Sequence, residues 1–176
     1  MKAPLLILCI IFGLSTSCIN ETYGPERAPT TFAATWPCEN GMADVYPCNG
    51  YDLMSYLSLQ DLTPEGVNNG SIAGNDSWGW TDPTTNKEYA LVGLNSHAAF
   101  VDISEPSLPV LLGVLPTATV NSSWRDIKVY QNHAFIVSEA SGHGMQVFDL
   151  TRLRNVITPP ETFTADTHFT DFGKAH

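Results

Sequence analysis

The chain has 176 residues, 18 of them acidic and eight basic, for a formal charge of −10 at neutral pH. That excess of negative charge repels phosphate backbones and anionic lipid, which argues against nucleic-acid binding and against electrostatic membrane attachment. The length suits one domain, and no segment after the first residues is apolar and long enough to cross a bilayer.

Residues 1–17 read as an export signal. Met1, Lys2 and the free amino terminus give a positive start, and the run from Leu5 to Phe12 is apolar but too short for a membrane span. Gly13, Ser15, Thr16 and Ser17 then supply small residues in front of Cys18. A Cys in that place resembles a bacterial lipobox, whose thiol is acylated and becomes the new N-terminus. Ser15 stands where an aliphatic residue is commoner, and a cut near Ser17 that leaves Cys18 unmodified is the alternative. Cys18 is thus the candidate lipid-attachment residue and the expected route of membrane contact. Residues 18–36 are rich in Thr, Pro, Ala and Glu and read as a flexible tether.

Of the four cysteines, Cys9 leaves with the signal, and Cys38 and Cys48 remain in a lead-in segment, residues 37–62. They flank a loop containing Asn40 and Gly41, which in an exported chain predicts a disulfide. Closing a loop of this size stabilises by roughly 2–3 kcal/mol. A metal site would need two further ligands at sensible spacing, and none stands nearby.

Residues 63–176 carry an internal repeat. Trp80-Thr-Asp82 aligns with Trp124-Arg-Asp126 at an offset of 44, and the same offset brings Glu88-Tyr-Ala-Leu-Val onto Asn132-His-Ala-Phe-Ile. Further on, residues 99–104 match 146–151 at an offset of 47, the difference falling in the turn 139–144. The first unit predicts strands over 77–81, 88–94, 98–103 and 110–115, and the second over 124–130, 133–138 and 145–150. Residues 151–155 predict a short helical turn. The connections have hairpin lengths and turn residues. Residues 163–176 read as the opening of a third unit without a closing partner.

Four antiparallel strands per unit at this period predict an all-β fold, a partial β-propeller with blades near 77–120 and 121–162 and the start of a third. Propellers use about 4–8 blades, so the chain reads as a piece of a longer protein whose last blade exposes an apolar face.

Tyr89-Ala-Leu-Val-Gly93 followed by Phe100-Val-Asp-Ile-Ser-Glu-Pro106 resembles the LVIVD repeat. The fuller order is similar to the choice-of-anchor B family: the Cys38/Cys48 loop, Trp78-Gly-Trp80, the repeat, His133 to Glu139, and Gly142-His-Gly-Met-Gln-Val-Phe-Asp-Leu150. The resemblance covers roughly residues 36–176. It implies a secreted or surface-anchored bacterial propeller of largely unassigned molecular function. The chain departs from that pattern at Trp124-Arg125-Asp126, where a His-Asp pair is usual.

Five histidines, His97, His133, His143, His168 and His176, form no ligand pair by spacing. His97 and His143 fall in predicted turns and read as surface residues. Gly142 and Gly144 flank His143, which makes residues 142–144 a possible ligand-facing turn, although a turn with left-handed glycines is the favoured explanation of the pattern. Asp102 and Asp149 recur at the end of a strand before Ser or Thr, which predicts a turn-fixing role. Calcium held by acidic turns is the rival, without a D-x-[DN]-x-[DN]-G loop to support it. Trp80 and Trp124 read as equivalent blade-packing residues. No nucleophile elbow, phosphate loop or dinucleotide signature occurs, so no catalytic residue and no cofactor is assigned. The resulting expectation is a module binding a protein or glycan partner at a bacterial surface. An exported hydrolase or lyase with its catalytic residues in further blades is the alternative, and a calcium-stabilised scaffold is a third.

Overall fold

The computed structural model describes residues 35–67 and 70–176. The signal segment 1–17, Cys18 and all but the end of the tether lie outside the described residues.

The fold is all-β, in three sheets, and none of them closes into a barrel. A small hairpin comes first, β1 (Met42–Ala43) against β2 (Tyr46–Pro47), turned through Asp44 at a positive φ and stapled by the Cys38–Cys48 disulfide. Next come β3 (Gly74–Thr81), β4 (Glu88–Leu94), β5 (His97–Asp102) and β6 (Val110–Pro116), an antiparallel meander that forms the first large sheet. The second large sheet is built from β7 (Arg125–Tyr130), β8 (His133–Ser138) and β9 (Met145–Asp149). A short 3-10 helix, Leu150–Asn155, follows, with the Asp149 carboxylate capping its start through the Thr151 N–H.

Two short strands complete the sheets, and neither was expected where it lies. β10 (Glu161–Thr162) crosses back to the first sheet and pairs parallel to β6. β11 (Thr167–Phe169) pairs antiparallel with β9 and is the fourth strand of the second sheet. Residues 163–169, expected in the opening of a third unit, thus belong to the core and to the second sheet. Phe163 enters the core, and Thr167–Phe169 ends the sheet that the third-unit reading took as already complete.

The apolar residues of β4 and β5 run almost without a polar interruption because both faces of the first sheet are covered. One face, with Leu94, Ala99, Val101 and Val114, packs on Leu57 and Leu62 of the lead-in and on Val67 and Ile72 of the connection to β3. The other, with Tyr89, Leu91, Ala98 and Phe100, packs on Ile127, Ala134, Ile136 and Phe148 of the second sheet. Phe100 stacks on Phe148 at 4.6 Å, and Phe163 closes on both rings. The second sheet alternates instead: Ala134, Ile136 and Ser138 are buried, while His133, Phe135 and Val137 are only half-buried on its other face. A strand buried on one side alternates, and one buried on both does not.

Two polar clasps hold the sheets in register. The Asp76 carboxylate on β3 accepts the Ile127 N–H at 2.8 Å and faces Lys128, joining the first strands of the two sheets. At the other end the fully buried Asp82 carboxylate takes a bidentate pair from Arg154 of the 3-10 helix, 2.7 and 2.6 Å, together with Thr84 and Thr85. Arg154 holds the Asp82 carboxyl far below the ordinary carboxylate range.

The register corrects one repeat assignment. Trp80 pairs with Tyr89, and the residue paired with the corresponding His133 is Tyr130, not Trp124. The first unit has a six-residue turn, 82–87, between its first two strands, and the second turns through Gln131 and Asn132 alone. A gapless alignment across turns of different length carried Trp124 onto the wrong strand position.

Candidate functional site

The polar residues that no structural clasp explains gather at one end of the two large sheets. That end comprises the turn between β4 and β5, the connection after β6, the start of β7 and the turn between β8 and β9. Arg125 is the first residue of β7 and lies on the face turned towards the first sheet, because Arg125, Ile127 and Val129 alternate with Asp126, Lys128 and Tyr130. Its side chain is 1% exposed. Nε donates to the Leu94 carbonyl at 3.0 Å, while Nη1 and Nη2 are buried without a hydrogen-bond partner. Burial pushes the guanidinium down to about 10, and no carboxylate among the described residues forms an ion pair with it.

His143 is fully buried beside this group. Its Nδ1 meets the Thr119 hydroxyl at 3.1 Å, its carbonyl accepts from His168 Nε2 at 2.6 Å, and its Nε2 is unpartnered. Burial is the main reason that its imidazole is pushed down to about 4, with the Arg125 charge and His168 adding to it. Gln146 on β9 donates from Nε2 to the Pro116 carbonyl at 3.0 Å and leaves Oε1 buried and unmatched. His97 is also fully buried, with Nδ1 at 2.9 Å from the Ser96 hydroxyl and Nε2 at 2.9 Å from the Leu62 carbonyl. Burial lowers its affinity for a proton, and Arg125 lowers it further.

Both histidines were expected at the surface. His97 opens β5 and is covered by the lead-in through the Leu62 carbonyl, while His143 is enclosed by Thr119 and by His168 of β11. In the 142–144 turn, Gly142 and Gly144 both take positive φ, +72° and +65°. Gly144 also lies against the Phe169 carbonyl, where a Cβ would collide with backbone. The close approach that Gly144 permits is to the chain's own β11.

The other singled-out residues have structural roles or lie apart. Cys38 and Cys48 form the disulfide, with their Cα atoms 5.8 Å apart. Asp102 and Asp149 are paired with Tyr89 and His133, equivalent places in the two sheets. Each accepts the N–H two residues on, Ser104 or Thr151. Partial burial pushes both carboxyls up, but these bonds, with Lys87 on Asp102, outweigh it and leave them below the ordinary value. Trp80 is in the core, stacked on Tyr89 at 5.0 Å. Trp124 is 55% exposed and meets His176 edge-on beside a surface depression of about 390 Å³ lined by Glu139, Lys174, Ala175 and His176. Among the described residues no three His, Cys, Asp or Glu side chains converge as a metal ion requires.

No family model, no curated protein and no solved structure matches the chain.

The chemistry open to this end of the molecule follows from its donors. Thr119 and His143 stand at the distance of a nucleophile and its base, but the other ring nitrogen has no orienting carboxylate, and an imidazole titrating near 4 is a weak base at neutral pH. What the cluster offers is a fixed, unneutralised cation and a neutral imidazole. The resemblance marked this position only as a departure, Arg125 standing where a His-Asp pair is usual, and gave it no role. The available clue was its charge on the apolar side of an alternating strand.

Proposed function

We propose that the chain is an exported, non-catalytic binding module whose two large sheets are successive blades of an LVIVD-type β-propeller, presented at a bacterial surface to a protein or glycan partner. The observation that carries the reading is the phase of the sheet faces. The first sheet packs on the second through Leu91, Ala98 and Phe100. The positions that pair equivalently in the second sheet are Phe135, Met145 and Val147, and these line its half-buried outer face. Conversely, Ala134, Ile136 and Phe148, which receive the first sheet, correspond to Ala90, Val92 and Val101, which face the lead-in. Each sheet thus offers one kind of face forward and the other kind back. Stacking of that sort is the geometry of blades, and it leaves the second sheet ready to receive a further one.

Export rests on residues 1–17, and the disulfide fits an oxidising compartment. Cys18 is the proposed lipid anchor and the membrane contact, and the net negative charge argues against nucleic acid. Resemblance to the choice-of-anchor B pattern is consistent with a surface role.

Hydroxyl-radical footprinting of the protein isolated from its source cells tests the blade reading. Protection of Phe135, Met145 and Val147, with Tyr51 labelled as the exposed reference, is expected; full labelling of all three removes the propeller. Mass spectrometry of the mature N-terminus is expected to give a diacylglycerol-modified Cys18, and an unmodified thiol would leave a freely secreted protein. Turnover in a hydrolase and lyase screen of that same material would replace the binding reading with an enzymatic one.

A further inference from the structure

The interior contains a cation that no carboxylate among the described residues neutralises. A guanidinium buried in a low-dielectric core normally has a carboxylate against it, because hydrogen bonds alone leave the charge itself uncompensated. This chain has acidic residues in excess, yet those nearest in sequence are engaged elsewhere. Asp126 alternates to the opposite face of β7, and Asp76 holds the Ile127 N–H and Lys128. Arg125 instead spends one donor on the Leu94 carbonyl and leaves both Nη groups buried without a hydrogen-bond partner. His143 Nε2 is left without a partner in the same region. In the tautomer whose Nδ1 accepts a hydrogen bond from the Thr119 hydroxyl, Nε2 carries the ring hydrogen and is a third donor.

We propose that Arg125 and His143 form an occluded anion site between the two sheets, which takes up a small monovalent anion of the chloride or formate class as the sheets close. Three buried donor groups without a partner, two of them on a charged guanidinium whose field reaches the third, suit such an ion. Water would satisfy the donors and the leftover Gln146 Oε1, but it would leave the charge. A second cation is ruled out by the same field, since the Arg125 charge already disfavours protonation of both His143 and His97. Occlusion limits the ligand to a few atoms, so the ion is a structural component that couples folding to anion concentration. This inference stands independently of the propeller reading.

Because the ion binds only the folded chain, stability should rise with the logarithm of its concentration above saturation. The test follows thermal unfolding of the mature protein in sodium chloride or sodium formate against sodium gluconate, too bulky to enter, at matched ionic strength. The melting temperature is expected to climb by several degrees between 1 and 300 mM chloride or formate over the gluconate series, and the increment to vanish in Arg125→Met. Since Arg125→Met removes a large core side chain, His143→Gln provides a second variant, expected to fold and to show a reduced increment. Crystals grown in bromide supply a readout independent of stability: anomalous density between Arg125 and His143 is expected. Identical melting in chloride, formate and gluconate, or a site holding only waters in the bromide crystal, overturns the proposal.

Discussion

Gly113 on β6 is where the returning strand β10 presses hardest on the first sheet. A Cβ placed there would collide with the Glu161 carbonyl oxygen and with the Phe163 ring. The ring edge is able to tilt, but the carbonyl is backbone held by the parallel pairing of Glu161 with Gly113 and by the bond from Phe163 N–H to the Val114 carbonyl, 2.8 Å. Gly113→Ala therefore has to displace β10, and overpacking of this kind costs about 2–3 kcal/mol. At roughly 2–4 °C per kcal/mol for a domain of this size, the melting temperature is expected to fall by about 4–12 °C. Gly79→Ala is the control, because its new methyl meets nothing closer than the Tyr89 carbonyl at 3.9 Å. That change should be neutral or stabilise by up to about 0.5–1 kcal/mol through the lost freedom of glycine in the unfolded chain. Differential scanning fluorimetry compares the two, and hydrogen exchange should show the Phe163 amide opening faster in Gly113→Ala while the amides shared by β4 and β5 keep their protection. Equal melting temperatures for the two variants would mean that β10 does not sit against β6.

On the two faces of β8, Ile136→Ala should cost about 2–5 kcal/mol as a buried truncation and the half-buried Phe135→Ala much less, measured by urea unfolding; equal costs would contradict the one-sided burial of the second sheet. Arg154→Met should lower the melting temperature more than Arg152→Met, because Asp82 is left ionised and buried, whereas Asp166 is open to solvent; adding Asp82→Asn should restore part of the loss. Acid should weaken the fold in two stages. His143 titrates near 4 when folded and at about 6.5 when unfolded, and His97 shifts in the same direction, so the unfolded chain binds more protons between these values. Their stabilising effect is complete above about 6.5 and is lost as pH falls towards 4, by on the order of 2–3 kcal/mol for His143. Below that, protonation of Asp82, Asp102 and Asp149 takes over. Denaturant midpoints measured in gluconate buffers from pH 7.5 to 4 should show the upper stage, and His143→Gln should flatten it.

The strands most legible in the sequence were those with local signatures. Glu88–Leu94 and His133–Ser138 have the bounds that their apolar runs and flanking turns predict. β3 begins three residues before its predicted start, because Gly74, Asn75 and Asp76 are polar and a bulge separates Gly74 from Ser77. β10 has two residues and a parallel partner far back in the chain, which no local pattern encodes. β11 was visible as extended chain, but membership of a sheet is a long-range property, so it was given to the wrong unit. The candidate site was hidden for a related reason. Its members come from four separate segments, and what distinguishes them, an unsatisfied charge in the interior, is created only when the segments meet.

The lead-in packed on the first sheet has a consequence for how copies of the chain meet. The forward face of the first sheet meets the backward face of the second, so the contact between them is head-to-tail, and a head-to-tail contact repeated between copies propagates into rings or fibres. Leu57, Leu62, Val67 and Ile72 occupy the backward face of the first sheet, and the open forward face of one molecule finds no complementary surface on the next. The segment thus shields the apolar face of the first sheet from a second copy, and any assembly through that face has to displace it first.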